Sequence, residues 1–177
     1  GAAEWPRPRE RRMPQVDGVV HRVAPQLEVH RLLRADVDEL LEGLDEDDLI
    51  GIAAAIDETG DVLDIANKAP IIKLMNTIMF EALKIRASDI HLQPFPDRLQ
   101  VRYRIDGILY DSKVIPKKIQ EALISRVKVM GKMDIAERRL PQDGRTSLKI
   151  GDGDVDVRIS SVPTSHGERI VMRLLDK

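Results

Sequence analysis

The stretch "RLQVRYRIDGILYDSKVI", residues 98 to 115, constrains the fold more than any other part of the chain. Its first half sets Leu99, Val101, Tyr103 and Ile105 against Gln100, Arg102 and Arg104. That two-residue period belongs to a strand with one buried and one polar face. Asp106 and Gly107 follow, the residue pair that closes the tightest antiparallel turns. The second strand must therefore return beside the first.

Other segments supply partners for this hairpin. "SDIHLQPF" reads as a short strand closed by Pro94 and Pro96, with His91 between Ile90 and Leu92. "RTSLKIGDGDVDVRISSV" is a second hairpin that turns through Gly151, Asp152 and Gly153, and "GERIVMRLLDK" supplies a last strand. Two segments have the period of helices instead. "PIIKLMNTIMFEALK" opens on proline and puts Ile71, Leu74, Met75, Ile78, Met79, Ala82 and Leu83 on one stripe. "PKKIQEALISRVKVMGKM" does the same through Ile119, Leu123, Val127 and Met130. The order of helix, three strands, helix and about three strands predicts an α+β fold. Its antiparallel sheet has about six strands, with helices covering one face.

The front of the chain differs in character. Residues 1 to 24 carry prolines and the run "RPRERR" without hydrophobic periodicity, which predicts a disordered basic arm. Residues 25 to 56 read as short amphipathic helices. Leu27, Leu32 or Leu33, Val37, Leu40 and Leu41 fall at helical spacing ahead of Gly43, and "DEDD" heads "LIGIAAAID". Residues 57 to 68, rich in Gly and Asp, read as a linker. The compact domain is expected from 69 to 177.

Composition narrows the function. The 28 Lys+Arg against 30 Asp+Glu give no global basic field, and an aromatic fraction of 3% leaves few rings to stack on bases. No nucleic-acid partner is expected. Cysteine is absent, and no apolar run approaches the roughly 20 residues of a membrane span. These bounds point to a soluble cytosolic protein.

Most catalytic chemistry finds no support. His21, His30, His91 and His166 are scattered, so no metal site is expected. No serine has a His and an acidic partner at recognisable spacing, and no G-x-x-x-x-G-K-[ST] phosphate loop occurs. The arginines remain. Arg102 and Arg104 share one face of their strand, Arg158 lies among Asp154, Asp156 and Ser160, and Arg169 and Arg173 share a face of the last strand. Planar guanidinium forks suit carboxylates and phosphates alike. Spacing alone leaves two readings open. One is ion-pair ladders with Asp143, Asp154, Asp156 or Glu168; the other is a phosphate site, in this chain or across an interface.

Five segments, taken together, go further: "APIIKLMNTIMFEALKIRASDIHLQPF", "VRYRIDGIL", "SRVKVMGKMDIAERRLPQDGR", "VDVRIS" and "PTSHGERIVMRLLDK". Their succession over residues 69 to 177 resembles the secretion ATPase superfamily. The resemblance is strongest to the type II secretion system ATPases (general secretion pathway protein E), with the type IV pilus assembly ATPases close behind. It implies a PAS-like N-terminal domain that precedes a RecA-like ATPase domain absent here. The phosphate loop, acidic motor residues and four-cysteine zinc site lie downstream in that family. This chain alone is therefore expected to be inactive, with ATP and Mg2+ bound only by the full-length protein. The resemblance also implies a hexamer in full-length form, and contacts with the RecA-like domain of the same and neighbouring subunits. It implies a cytoplasmic location, peripheral to the inner membrane through a platform partner, with residues 25 to 56 as a possible end of the platform-docking domain.

In these motors, arginines of the PAS-like domain reach the terminal phosphates of the nucleotide. By position in "VDVRIS" and "VMRLL" they correspond to Arg158 and Arg173, with Arg169, Arg145 and Arg139 as lesser candidates. The implied function is regulation of ATP hydrolysis and its coupling to pseudopilus assembly and protein secretion. The alternatives are the same module of a pilus assembly ATPase, or a stand-alone PAS-like adaptor that binds protein. One departure is local: Arg86 stands where relatives often carry glycine after the first helix.

Overall fold

In the computed structural model the first strand of the sheet is also its centre. Residues 62–150 and 153–175 are described, together with Gly51 and Ala54. The basic arm and nearly all of the short front helices expected from sequence lie outside the described residues. The elements are α1 (Val62–Ala66), α2 (Ala69–Lys84), β1 (Asp89–Pro94), β2 (Arg98–Ile105), β3 (Ile108–Pro116), α3 (Gln120–Met130), β4 (Gln142–Ile150), β5 (Gly153–Thr164) and β6 (Gly167–Leu175). A 3₁₀ turn, Lys117–Ile119, leads into α3. The strands form one antiparallel sheet in the order β3-β2-β1-β6-β5-β4. The chain runs outward from β1 to one edge, crosses the sheet on α3, and works back inward from the other edge. The α+β class, the six-stranded sheet and the one-sided helical cover are as the sequence pattern predicts.

Local chemistry explains the turns. The β2–β3 hairpin pairs Ile105 with Ile108, and both residues between them have positive φ, Asp106 at 49° and Gly107 at 82°. This is the mirror-image turn whose twist matches that of strands, and Asp-Gly is its preferred sequence. Helix α2 ends when Ala87 N–H donates to the Ala82 carbonyl and Arg86 N–H to that of Leu83, at 2.8 and 3.0 Å. Arg86 takes the left-handed position of this cap, with φ of 54°. Glycine would be the least strained residue at this position. Helix α3 ends in the same way, with Lys132 at φ of 56°.

The core lies between the two long helices and one face of the sheet. Ile71, Leu74, Met75 and Ile78 of α2 and Leu123 and Val127 of α3 are buried against Ile90, Leu92, Val101, Ile159, Ile170 and Met172. Burying each such side chain contributes roughly 1.5–3 kcal/mol. Two charged pairs sit inside this apolar layer. Glu81 of α2 pairs with Lys113 of β3 and accepts a hydrogen bond from the Tyr103 hydroxyl at 2.8 Å. Lys128 of α3 lies 2.5 Å from Glu168 of β6, and the Ser161 hydroxyl donates to the same carboxylate at 2.8 Å.

Two glycines bring α3 and β4 together. A Cβ on Gly144 would lie 2.4 Å from the Gly131 carbonyl oxygen, so the helix end and the strand meet backbone to backbone. The stretch read as a linker carries α1 at its end. Ile65 and Ala66 are buried, and Arg126 of α3 donates to Asn67 Oδ1 at 3.3 Å. The packed unit therefore starts ahead of residue 69, because a short apolar turn gains more from covering α3 than from solvent.

Candidate functional site

Strand register assembles a single row of charge on the face without helices. Arg145 of β4 lies opposite Arg158 of β5, which in turn lies opposite Arg173 of β6. Arg173 faces Asp89 of β1, and Asp89 faces Arg104 of β2. Directly opposed residues point to the same face with Cβ atoms about 4.5–5.5 Å apart. Their strand neighbours Ile90, Met172, Ile159 and Tyr103 point the other way, into the core.

The row is unbalanced. Asp89 is its only carboxylate, set against the guanidiniums of Arg145, Arg158, Arg173 and Arg104. The Asp89 side chain is 5% exposed, whereas that of Arg173 is 63% exposed. Arg173 Nε donates to Asp89 Oδ1 at 3.0 Å. On the other oxygen, Arg104 Nε lies at 3.3 Å and the Ser88 hydroxyl donates at 2.8 Å. Burial works to raise the Asp89 pKa, but the Ser88 bond and the two arginines outweigh it and hold the carboxyl below its ordinary value. Arg104 is tied a second time, by Nη1 to the Gly107 carbonyl at 3.0 Å. Arg145 and Arg158 are exposed and make no ion pair or side-chain hydrogen bond among the described residues. Like charges directly opposite each other disfavour the bare sheet. A phosphate laid across Arg145, Arg158 and Arg173 would relieve that repulsion, and their forks can each present two N–H groups to it.

The next row along the strands is different. His91 lies between Arg102 and Val171 in register. Arg102 pairs with Asp111 at 2.7 Å, and Arg169 Nη2 approaches His91 Nδ1 at 3.5 Å. Burial first, then the charges of Arg169 and Arg104, lower the His91 pKa, so its ring is held neutral.

The structure thus brings Arg158, Arg173 and Arg145 together. Arg169 shares their face but sits four residues from Arg173, roughly 13 Å along β6. Arg139 is not on the sheet at all. It lies in the loop before β4, where its guanidinium binds Glu137 at 3.1 Å and its side-chain and backbone bonds lower the Glu137 pKa to about 2. Of the acidic partners expected from sequence, Asp143 accepts from the Ser160 hydroxyl at 2.6 Å, and Glu168 is buried on the opposite face. The carboxylate that matters, Asp89, was not among them. Its alternation with Ile90 gave the face, but nothing in sequence reveals that β1 lies beside β6, with 84 residues between the partners. Among the described residues no group of three or more His, Cys, Asp or Glu side chains could hold a metal ion, and no helix is long and apolar enough to cross a membrane.

Comparison with known proteins adds the family context. A family described as "Type II/IV secretion system protein" matches residues 64–177. The chain is 48% identical over 152 residues to "Type II secretion system ATPase E" of Vibrio cholerae, covering 85% of this chain and 30% of that protein. It is 45% identical over 155 residues to "Type II secretion system protein E" of Xanthomonas campestris, covering 82% and 27%. The protein of the same name in Dickeya dadantii is 42% identical over 174 residues, covering 94% and 35%. A share of 94% reaches well into the front segment, so the likeness is not confined to residues 69 to 177. The chain spans about a third or less of the length of these relatives.

Proposed function

Because the chain belongs to the type II/IV secretion system protein family, we propose that its sheet domain is the regulatory and coupling module of a type II secretion ATPase. The observation that carries this reading is the row Arg145–Arg158–Arg173, three forks on adjacent strands with one buried carboxylate at its end. In the full-length protein, Arg158 and Arg173 meet the terminal phosphates of an ATP molecule held by a downstream RecA-like domain. Arg145 flanks them. The chain has no phosphate loop of its own, and an open sheet face offers no enclosure for a base or ribose. ATP and Mg2+ are therefore bound by the part of the protein beyond this chain. The residues here supply charge at a position set by how the two domains meet.

Physically, a guanidinium that arrives as charge builds on the transferred phosphoryl group lowers the barrier to transfer. Its arrival depends on domain position, so hydrolysis and domain movement are linked in both directions. That linkage would drive pseudopilus assembly in a hexamer docked on an inner-membrane platform from the cytoplasmic side. The relatives named above are type II secretion proteins, which favours secretion over pilus assembly.

The test is turnover and nucleotide affinity of full-length variants. Arg158→Ala and Arg173→Ala should each lower kcat by about 10²-fold, on the scale of an arginine that stabilises phosphoryl transfer, with little change in ATP affinity. Arg102→Ala, one row away on β2 and paired with Asp111 through Nε, is the control. Arg104 is not a clean control, since it shares Asp89 with Arg173. Equal losses in all three variants, or near-normal turnover without Arg158 or Arg173, would return these residues to a structural role.

A further inference from the structure

We infer that Asp89 is a positioning residue for Arg173, a buried carboxylate that takes the Nε of this arginine and so aims its two free Nη groups out of the sheet face. The inference rests on the phosphate-contacting role proposed above and assigns the device that makes that role possible.

The geometry separates the two arginines that share Asp89. Arg104 is held at both ends, by Asp89 through Nε and by the Gly107 carbonyl through Nη1. One of its two terminal nitrogens is therefore taken up locally. Arg173 is held at Nε alone, and among the described residues its Nη groups make no hydrogen bond. A guanidinium fixed by Nε can still present both terminal N–H groups to a phosphate, whereas one free at every position must be ordered by the ligand. The anchor is itself fixed. Asp89 is almost wholly buried in the central strand, its second oxygen accepts the Ser88 hydroxyl, and Arg104 stands on that same oxygen. Backbone pairing reinforces the arrangement, because Ser88 N–H donates to the Arg104 carbonyl and Leu174 N–H donates to the Ser88 carbonyl, at 2.8 and 3.0 Å. Residues 88 and 89 therefore lock β1 to β2 and β6 at the point where Arg173 leaves the sheet. Arg158, by contrast, has no such anchor among the described residues. The two forks differ in kind: Arg173 is pre-aimed, and Arg158 is free to swing.

The experiment is a double-mutant cycle in the full-length ATPase, with Asp89→Asn, Arg173→Ala and both together, read as kcat and KM for ATP. Asp89→Asn keeps the shape of the side chain but turns part of the acceptor into a donor that cannot take Arg173 Nε in the same way. It should lower kcat by about 10-fold with KM little changed, since small misplacements of a reacting contact cost on this scale. In the Arg173→Ala background the same change should cost almost nothing further, because the carboxylate has no fork left to aim. Additive losses in the cycle would show a general structural role and overturn the inference. So would full activity of Asp89→Asn beside a strongly impaired Arg173→Ala, which leaves the phosphate-contacting reading intact. If Arg173→Ala is itself near normal, the parent reading fails instead. Ser88→Ala covers the case in which Asp89→Asn does not fold: it loosens the anchor without removing its charge. A kcat lowered about 3-fold, again only when Arg173 is present, supports the inference, and an unchanged kcat opposes it.

Discussion

The two faces of the sheet treat charge in opposite ways. Under the helices, Glu81 meets Lys113 and Glu168 meets Lys128, each partner buried and each matched. In one row of the open face, a single buried carboxylate stands against four arginines, two of them without a partner among the described residues. A buried charge must be neutralised within the fold, since water cannot reach it. An exposed one need not be, and excess charge left on a rigid surface is available to something else. Charge is matched under the helices and left unbalanced in the arginine row of the open face, where the phosphate contact is proposed.

Breaking a match on the covered face should have the largest effect on the stability of this chain. Lys128→Met leaves the Glu168 carboxylate buried beside Ser161 with no cation, and should cost about 3–5 kcal/mol in chemical denaturation. The double change Lys128→Met with Glu168→Leu should recover most of that loss. If the single change is harmless, the covered face does not depend on its matched charges.

Neighbouring residues on β4 offer a sharper contrast, because they point to opposite faces. Gly144→Ala drives a methyl group into the Gly131 carbonyl and should cost about 2–3 kcal/mol. Arg145→Ala, one position along, should be nearly neutral. Thermal midpoints of the two variants decide the matter, and equal values would remove the distinction.

Acid should act on the open face through its two buried members. The His91 pKa is lowered in the fold, so below its ordinary value of 6.5 the unfolded chain binds the proton more readily. Its contribution is present above pH 6.5 and is lost as pH falls toward the lowered folded value. The Asp89 pKa is lowered too, so its contribution is present above 3.8 and disappears as pH falls through the lower folded value. Stability measured against pH should therefore begin to decline below 6.5 through His91 and decline further below 3.8 through Asp89. His91→Gln should remove the decline that begins below 6.5 and leave the one that begins below 3.8. A profile unchanged by that substitution would show that His91 does not titrate with folding.

The smallest effect should come from the row itself. Arg158→Ala should shift the stability of this chain by no more than about 0.5 kcal/mol, toward greater stability, and added salt should shrink the gain. A clear loss of stability would mean that Arg158 has a structural partner after all. The comparison with its proposed 10²-fold effect on full-length turnover is the point of the measurement.

The hairpin at Asp106-Gly107, the stripes of α2 and α3 and the alternation of the strands were all legible from the sequence, because they depend on neighbours one to four residues apart. Alternation also placed Arg102, Arg104, Arg158, Arg169 and Arg173 on polar faces. It could not say that these faces are one face, nor rank Arg145 above Arg139. That follows from the strand order, in which β1 and β6 become central neighbours across 84 residues. Helix α1 was not legible for a related reason: five residues carry too little pattern to announce a packing partner, and only α3 shows why Ile65 is buried. Local periodicity determined which residues point inward and which outward, since backbone geometry fixes it. Which outward residues meet was decided only by tertiary pairing, and a row of four arginines around Asp89 exists because five strands happen to align there.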